Sequence, residues 1–317
     1  MKLIGAFAAA LGLAGRHGTL LAATSIFVGL AVPDLAAACK PFLGEAIVVL
    51  LMLAFLRVDP ADLRRHWTRP GLIAAATVWT MLIVPAVLGI VFLAFGLDQR
   101  MPGLYFMLAL QMSAPGLMSS PALAALLGLD VALTLATLIV STAITPLTAS
   151  FFTHVYLGTA LASPLAFGLK LFLIIAGCAL AAAVIRRVAG QAFIEAQYER
   201  IGGLSVLAMF MFAVAAMDGV ADRIRSDPLL VIELTALAFG LALAMIALTA
   251  LVFLRIGRAR AFAIGFITGN RNIGLMLAAT GFMVPDIAWL YFAIAQFPIY
   301  LLPHLLKPLV RRLLSDH

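Results

Sequence analysis

The chain predicts an all-α polytopic membrane protein, and three observations predict it: composition, a series of apolar stretches, and the placement of the basic residues. Of its 317 residues, 64% are hydrophobic and 11% charged, and the mean hydropathy is +1.14. Soluble domains carry roughly 45–50% apolar and about 25% charged residues. A water-soluble core cannot use the excess, whereas a bilayer can. Cys39 and Cys178 stand far apart with no CxxC pairing, so neither a disulfide framework nor a thiolate metal site is expected.

Apolar stretches of about 20 residues alternate with short charged connectors, as membrane-spanning helices require. We place ten spans at 15–33, 41–57, 70–96, 102–127, 129–156, 163–187, 200–217, 229–255, 261–284 and 286–305. The leading segment Met1–Gly15 reads either as a signal peptide or as an interfacial helix entering the first span. Basic residues test the count. With the N-terminus cytoplasmic, fifteen of the 21 Lys+Arg fall inside, among them Arg57, Arg64, Arg65, Arg69, Arg186 and Arg187. Five fall outside: Lys40, Arg100, Lys170, Arg223 and Arg225. The asymmetry puts both termini in the cytoplasm. It also explains the net charge of +7 without a nucleic-acid partner.

Ten spans divide into two fives, 1–157 and 158–317, and an odd number per half gives the halves opposite orientations. Inverted repeats of this kind build many secondary transporters, with broken helices at matched positions flanking a central site. The fourth span is interrupted at Ser113-Ala114-Pro115-Gly116, with Ser119-Ser120-Pro121 close behind. The ninth is interrupted at Thr268-Gly269-Asn270-Arg271-Asn272. Each is the fourth helix of its half. Proline removes a backbone donor and glycine admits irregular angles, so both breaks expose free N–H and C=O groups. Such groups survive in lipid only beside protein or a water-filled cavity. Arg271 sharpens the point. A guanidinium at bilayer depth costs about 2.5 kcal/mol or more on insertion scales, so something inside the protein solvates it.

These residues resemble the bile acid:sodium symporter family, and the resemblance covers nearly the whole chain. It is carried by Ala31-Val32-Pro33-Asp34, Arg57-Val58-Asp59-Pro60-Ala61-Asp62 and Arg69-Pro70 in the first repeat. More specific are Ala114-Pro115-Gly116, Asp130-Val131-Ala132-Leu133, Ser141-Thr142-Ala143-Ile144-Thr145-Pro146 and Gly269-x-x-Asn272-x-Gly274-Leu275. The resemblance implies ten helices in two inverted repeats. Discontinuous helices four and nine would cross in a core domain, packed on a panel domain of roughly 15–57 and 163–217. It also implies a bacterial-type plasma-membrane carrier of bile acids or smaller carboxylates such as pyruvate or pantoate.

The sodium sites that the resemblance implies carry over only in part. Ser120, Ser141 and Thr145 keep hydroxyls where the family has ligands, but Pro121 replaces its usual asparagine. The family's ninth helix reads Glu-x-Gly-x-Gln-Asn, against Ile267-Thr268-Gly269-Asn270-Arg271-Asn272 here, and Thr80 replaces another glutamine ligand in the third helix. Sodium wants several oxygen ligands, and a lost carboxylate beside a gained cation is doubly unfavourable. We therefore expect no bound sodium of the usual kind and no other cofactor. Arg271 reads as a built-in surrogate for the ion, with a planar fork that also suits a substrate carboxylate. The alternative is an ion pair that locks the crossover, with Glu45 or Glu233 as partner. Asn272 matches a position next to substrate, or else it caps the helix after the break. Asn270, Thr268, Pro115, Gly116 and, in the tenth span, Gln296 complete the expected substrate-site set.

Other classes fare worse. An intramembrane hydrolase needs a nucleophile with its base, paired aspartates or an HExxH helix. None of His17, His66, His154, His304 and His317 falls mid-span, so no enzyme is expected. A channel would show charge rings or filter loops, and an arsenite permease a cysteine near the fourth-span break. The sequence reading is a monomeric carrier of a small organic anion working by alternating access in the lipid bilayer. Its alternatives are a non-transporting sensor and a conventional sodium symporter with a remodelled site.

Overall fold

The computed structural model of the protein describes residues 18–58, 69–161 and 163–315. The Met1–Gly15 segment and the Asp59–Asp62 part of the connector lie outside these residues. Among the described residues every regular element is a helix and none is a strand. Seven helices are long and apolar enough to cross a membrane, which makes the chain a multi-pass helical membrane protein. They are Pro33–Arg57, Pro70–Ala94, Val131–Leu157, Pro164–Ala189, Tyr198–Ser226, Pro228–Val252 and Asp286–Leu314. The other three expected spans differ for physical reasons. The described part of the first is a 14-residue helix, Gly18–Ala31. The fourth and ninth are each two shorter helices, stopped where Pro115 and the Asn270-Arg271-Asn272 stretch cannot continue an α-helical ladder.

We number the helices α1 (Gly18–Ala31), α2 (Pro33–Arg57), α3 (Pro70–Ala94), α4 (Pro102–Ser113), α5 (Ser120–Leu127) and α6 (Val131–Leu157). There follow α7 (Pro164–Ala189), α8 (Tyr198–Ala216), α9 (Pro228–Val252), α10 (Arg258–Gly269), α11 (Ile273–Thr280) and α12 (Asp286–Ser315). The chain forms two compact units. One comprises Met1–Asp59 and Ile174–Ile232, the other Pro60–Leu173 and Glu233–His317.

In the first unit, α8 packs against both α1 and α2. The α1–α8 approach is close enough that a Cβ on Gly29 would lie 2.8 Å from the Val214 carbonyl oxygen. The end of α2 is held by a cation. Arg186 Nη2 donates to the carbonyls of Phe55 (3.2 Å), Leu56 (2.8 Å) and Val58 (2.6 Å), acceptors at and just past a helix C-terminus. Arg57 stacks on the Tyr198 ring at 4.7 Å.

The second unit holds α3 to α6, the paired short helices, and α12. Its long helix α6 packs on α3, α4, α5 and α10. Asp130 caps its start by accepting from Leu133 N–H (3.0 Å) and pairs with Arg260 at 3.4 Å. An apolar cluster joins Leu123 and Leu127 of α5 to Ile246 of α9, Phe266 of α10 and Leu302 of α12. Helix α10 meets α9 through Gly265 and Gly269, a small-xxx-small pair that lets two backbones approach. A Cβ on Gly265 would sit 2.6 Å from the Ile246 carbonyl oxygen, and one on Gly269 2.8 Å from that of Ala242.

That contact yields a test. Gly269→Ala forces the α9 backbone to move, so it lowers thermal stability in detergent by about 1–3 kcal/mol, the usual overpacking cost. Gly240→Ala lies on the same α9 helix, where a Cβ meets nothing within 4 Å. It leaves the midpoint unchanged or raised, because alanine is the better helix former.

Candidate functional site

The site is built from two helix breaks that face each other within the second unit. Helix α4 ends at Ser113, Ala114 turns extended (φ −72°, ψ 150°), and α5 begins at Ser120. Helix α10 ends at Gly269, Asn270 turns extended (φ −108°, ψ 95°), and α11 begins at Ile273. The two breaks pair as a single antiparallel bridge, Gly116 opposite Arg271. Asn272 N–H donates to the Pro115 carbonyl (2.8 Å) and Leu117 N–H to the Asn270 carbonyl (2.9 Å). Each break thus supplies backbone partners that the other has lost. Gly116 permits the approach: a Cβ there would lie 2.7 Å from Cγ2 of Ile267.

Arg271 is 3% exposed and donates three hydrogen bonds, all to carbonyls. Nε donates to Thr268 (2.7 Å), Nη1 to Ala114 (2.8 Å) and Nη2 to Thr80 (3.0 Å). Each acceptor has lost its helical donor for a definite reason. Thr268 would be served by the Asn272 N–H, which is diverted to Pro115. Ala114 follows α4 in extended conformation, so its carbonyl has no helical donor. Thr80 lies in a π-helical segment, Trp79–Ile83, where the Val84 N–H reaches back to Trp79. The next residue, Pro85, has no N–H to give. A planar guanidinium with five donors in a fixed fork satisfies all three at once.

This corrects the ion-pair alternative. Glu45 and Glu233 are both exposed, and the partners of Arg271 are backbone oxygens. Helix polarity makes that arrangement favourable. The C-termini of α4 and α10 each carry about half a negative charge, and both end at the guanidinium.

The other expected site residues divide by placement. The Thr268 hydroxyl donates to Ile264 O (2.8 Å), so its 3.0 Å contact with the Thr80 hydroxyl has Thr80 as donor. Asn272 caps α11 through the Leu275 N–H (3.1 Å) and is partly exposed. Asn270 is buried, with its Nδ2 on Phe266 O (3.0 Å). Pro115 and Gly116 form the bridge itself. Gln296 is buried and donates to Phe292 O on its own helix. Ser120 opens α5, its Oγ buried without a partner, and Pro121 follows it in the first turn. Ser141 and Thr145 give their hydroxyl hydrogens to Leu138 O (2.9 Å) and Ser141 O (2.7 Å). Ile267 is fully buried and packs on Gly116.

Two features escaped the sequence reading. Gln111 of α4 borders, with Arg271, Thr268 and apolar side chains of α3 and α9, a cavity just large enough for one water. The Gly265/Gly269 pair was legible as a GxxxG spacing in an apolar segment. Together the fold and the site define a class: a multi-pass helical membrane protein with two broken helices pinned at a charged crossover. Compared with known proteins, the chain matches no protein-family model and no curated protein.

Removing the guanidinium leaves three buried carbonyls without donors, each worth about 1–3 kcal/mol. Arg271→Ala therefore lowers thermal stability in detergent by several kcal/mol. Arg271→Lys restores only part of it, because one ammonium cannot span three acceptors set by a planar fork. Thr80→Val removes a hydroxyl contact and keeps the carbonyl, so it costs about 1 kcal/mol.

Proposed function

We propose that the protein is a secondary carrier of an organic anion, a member of the bile acid:sodium symporter family in which Arg271 stands in place of the bound cation. On this reading the chain has ten transmembrane helices in two inverted repeats and sits in a bacterial plasma membrane. Both termini are cytoplasmic, and the substrate crosses by alternating access. The two compact units, 1–59 with 174–232 and 60–173 with 233–317, support the panel and core division. The breaks of the fourth and ninth spans, paired at Gly116 and Arg271, support the crossover.

The observation that carries the proposal is the bonding of Arg271 to the carbonyls of Thr80, Ala114 and Thr268. Three carbonyl oxygens converging on one positive charge are part of the shell that a bound sodium would need. The guanidinium supplies that charge permanently. Ile267 in place of a carboxylate supports the same reading.

The electrostatics favour an anion. Helices α5 and α11 begin within four residues of the bridged pair, so two positive helix ends, each worth about half a charge, approach the crossover. Arg271 is already committed to the negative ends of α4 and α10. The positive ends are thus left for substrate, as in other carriers with broken helices. Asn272, partly exposed, has its Oδ1 committed to the cap and its amide N–H groups available to a carboxylate.

Transport into proteoliposomes tests the reading. Uptake of radiolabelled pyruvate or taurocholate is expected to proceed equally when sodium is replaced by choline. Asn272→Ala raises KM about tenfold or more, the worth of one charge-assisted hydrogen bond. A strict sodium requirement would contradict the surrogate role of Arg271.

A further inference from the structure

We infer that the crossover binds one buried water between Arg271 and Gln111, and that Gln111 positions the guanidinium through it. Three features of the second unit converge there: spare donors, an acceptor without a donor, and a cavity of the right size bordered by both. The site does not depend on what the protein carries.

The donors belong to Arg271. A guanidinium has five N–H groups, and the carbonyls of Thr268, Ala114 and Thr80 take one each from Nε, Nη1 and Nη2. Nη1 and Nη2 therefore each keep one N–H to give. The residue is 3% exposed, so those groups need partners inside the protein.

The acceptor is the side chain of Gln111, in the last turn of α4, whose backbone carbonyl takes the Ala114 N–H (3.1 Å). Gln111 is 8% exposed, and its Oε1 is buried with no partner. A side-chain amide can present either end. Toward a guanidinium it presents oxygen, and its NH2 then faces the Tyr291 hydroxyl of α12.

Both residues border a cavity of about 10 Å³, with Thr268 beside them and apolar side chains of α3 and α9 around the rest. That is about the space one water needs, and a buried water wants two to four polar partners. Here it accepts from an Arg271 Nη and donates to Gln111 Oε1. A cation would be repelled by the guanidinium, and a carboxylate would not fit. Arg271 is thus tied to the end of α4 twice, directly at Ala114 and through water at Gln111.

The test uses the full-length protein in detergent. A structure at a resolution that shows ordered waters is expected to hold a peak about 2.7–3.2 Å from both Gln111 Oε1 and an Arg271 nitrogen. Thermal unfolding gives a second readout, and its sign depends on the water. If Gln111 serves a water, Gln111→Leu strands it and lowers the midpoint by about 2–4 °C. If the cavity is dry, the same change removes a buried oxygen without a partner, and the midpoint stays or rises. Gln111→Glu keeps an acceptor in place and is expected to hold the midpoint near the parent's. An empty cavity, a direct bond from Gln111 to Arg271, or a midpoint that Gln111→Leu does not lower would each overturn the inference. So would a loss in Gln111→Glu as large as in Gln111→Leu.

Discussion

One guanidinium makes the broken helices affordable. Two helices that stop inside an apolar protein leave carbonyls without donors, and buried carbonyls without donors are costly. The bridge between Gly116 and Arg271 satisfies one carbonyl on each side. The Arg271 side chain satisfies three more, on three separate segments of chain: Thr80 on α3, Ala114 after α4, and Thr268 on α10. No neutral side chain brings enough donors to do this. Lysine brings three, without the planar geometry.

The same bonds explain why an arginine can be buried here with no acid beside it. Its positive charge meets the negative ends of α4 and α10, which together come to about one unit of charge. A carboxylate partner would have added a further desolvation cost. Neighbouring sequence choices agree with this arrangement. Pro85 deprives Thr80 of its helical donor, and the π-helical segment exposes that carbonyl. Ile267 packs against Gly116 as a hydrophobic side chain, and Gly269 lets α10 close on α9.

Much of this was legible in the sequence. Composition and the spacing of apolar stretches indicate membrane helices, and the Pro115-Gly116 and TGNRN interruptions mark both breaks within a residue or two. Arg271 was recognisable as a charge that needed internal solvation. Its partners were not legible, because two of the three acceptors lie more than 150 positions away in sequence. Backbone acceptors also carry no side-chain signature, so sequence reasoning searched for Glu45 and Glu233 instead. The π-helical segment at Trp79–Ile83 was equally hidden. Which carbonyl Pro85 frees depends on the register of the preceding turn, and sequence alone does not fix that register. Asn272 was expected either beside substrate or as the cap of the helix after the break, and the structure shows it capping α11.

The central claim is that Arg271 occupies the place of a cation among three carbonyl oxygens. The most direct measurement is the sodium dependence of thermal stability for the parent protein and for Arg271→Gln, with choline as the control salt. The account predicts a parent indifferent to sodium and a variant that sodium stabilises, because the vacated carbonyls then accept an ion. Sodium stabilisation of the parent, or a variant that choline and sodium affect alike, would contradict it.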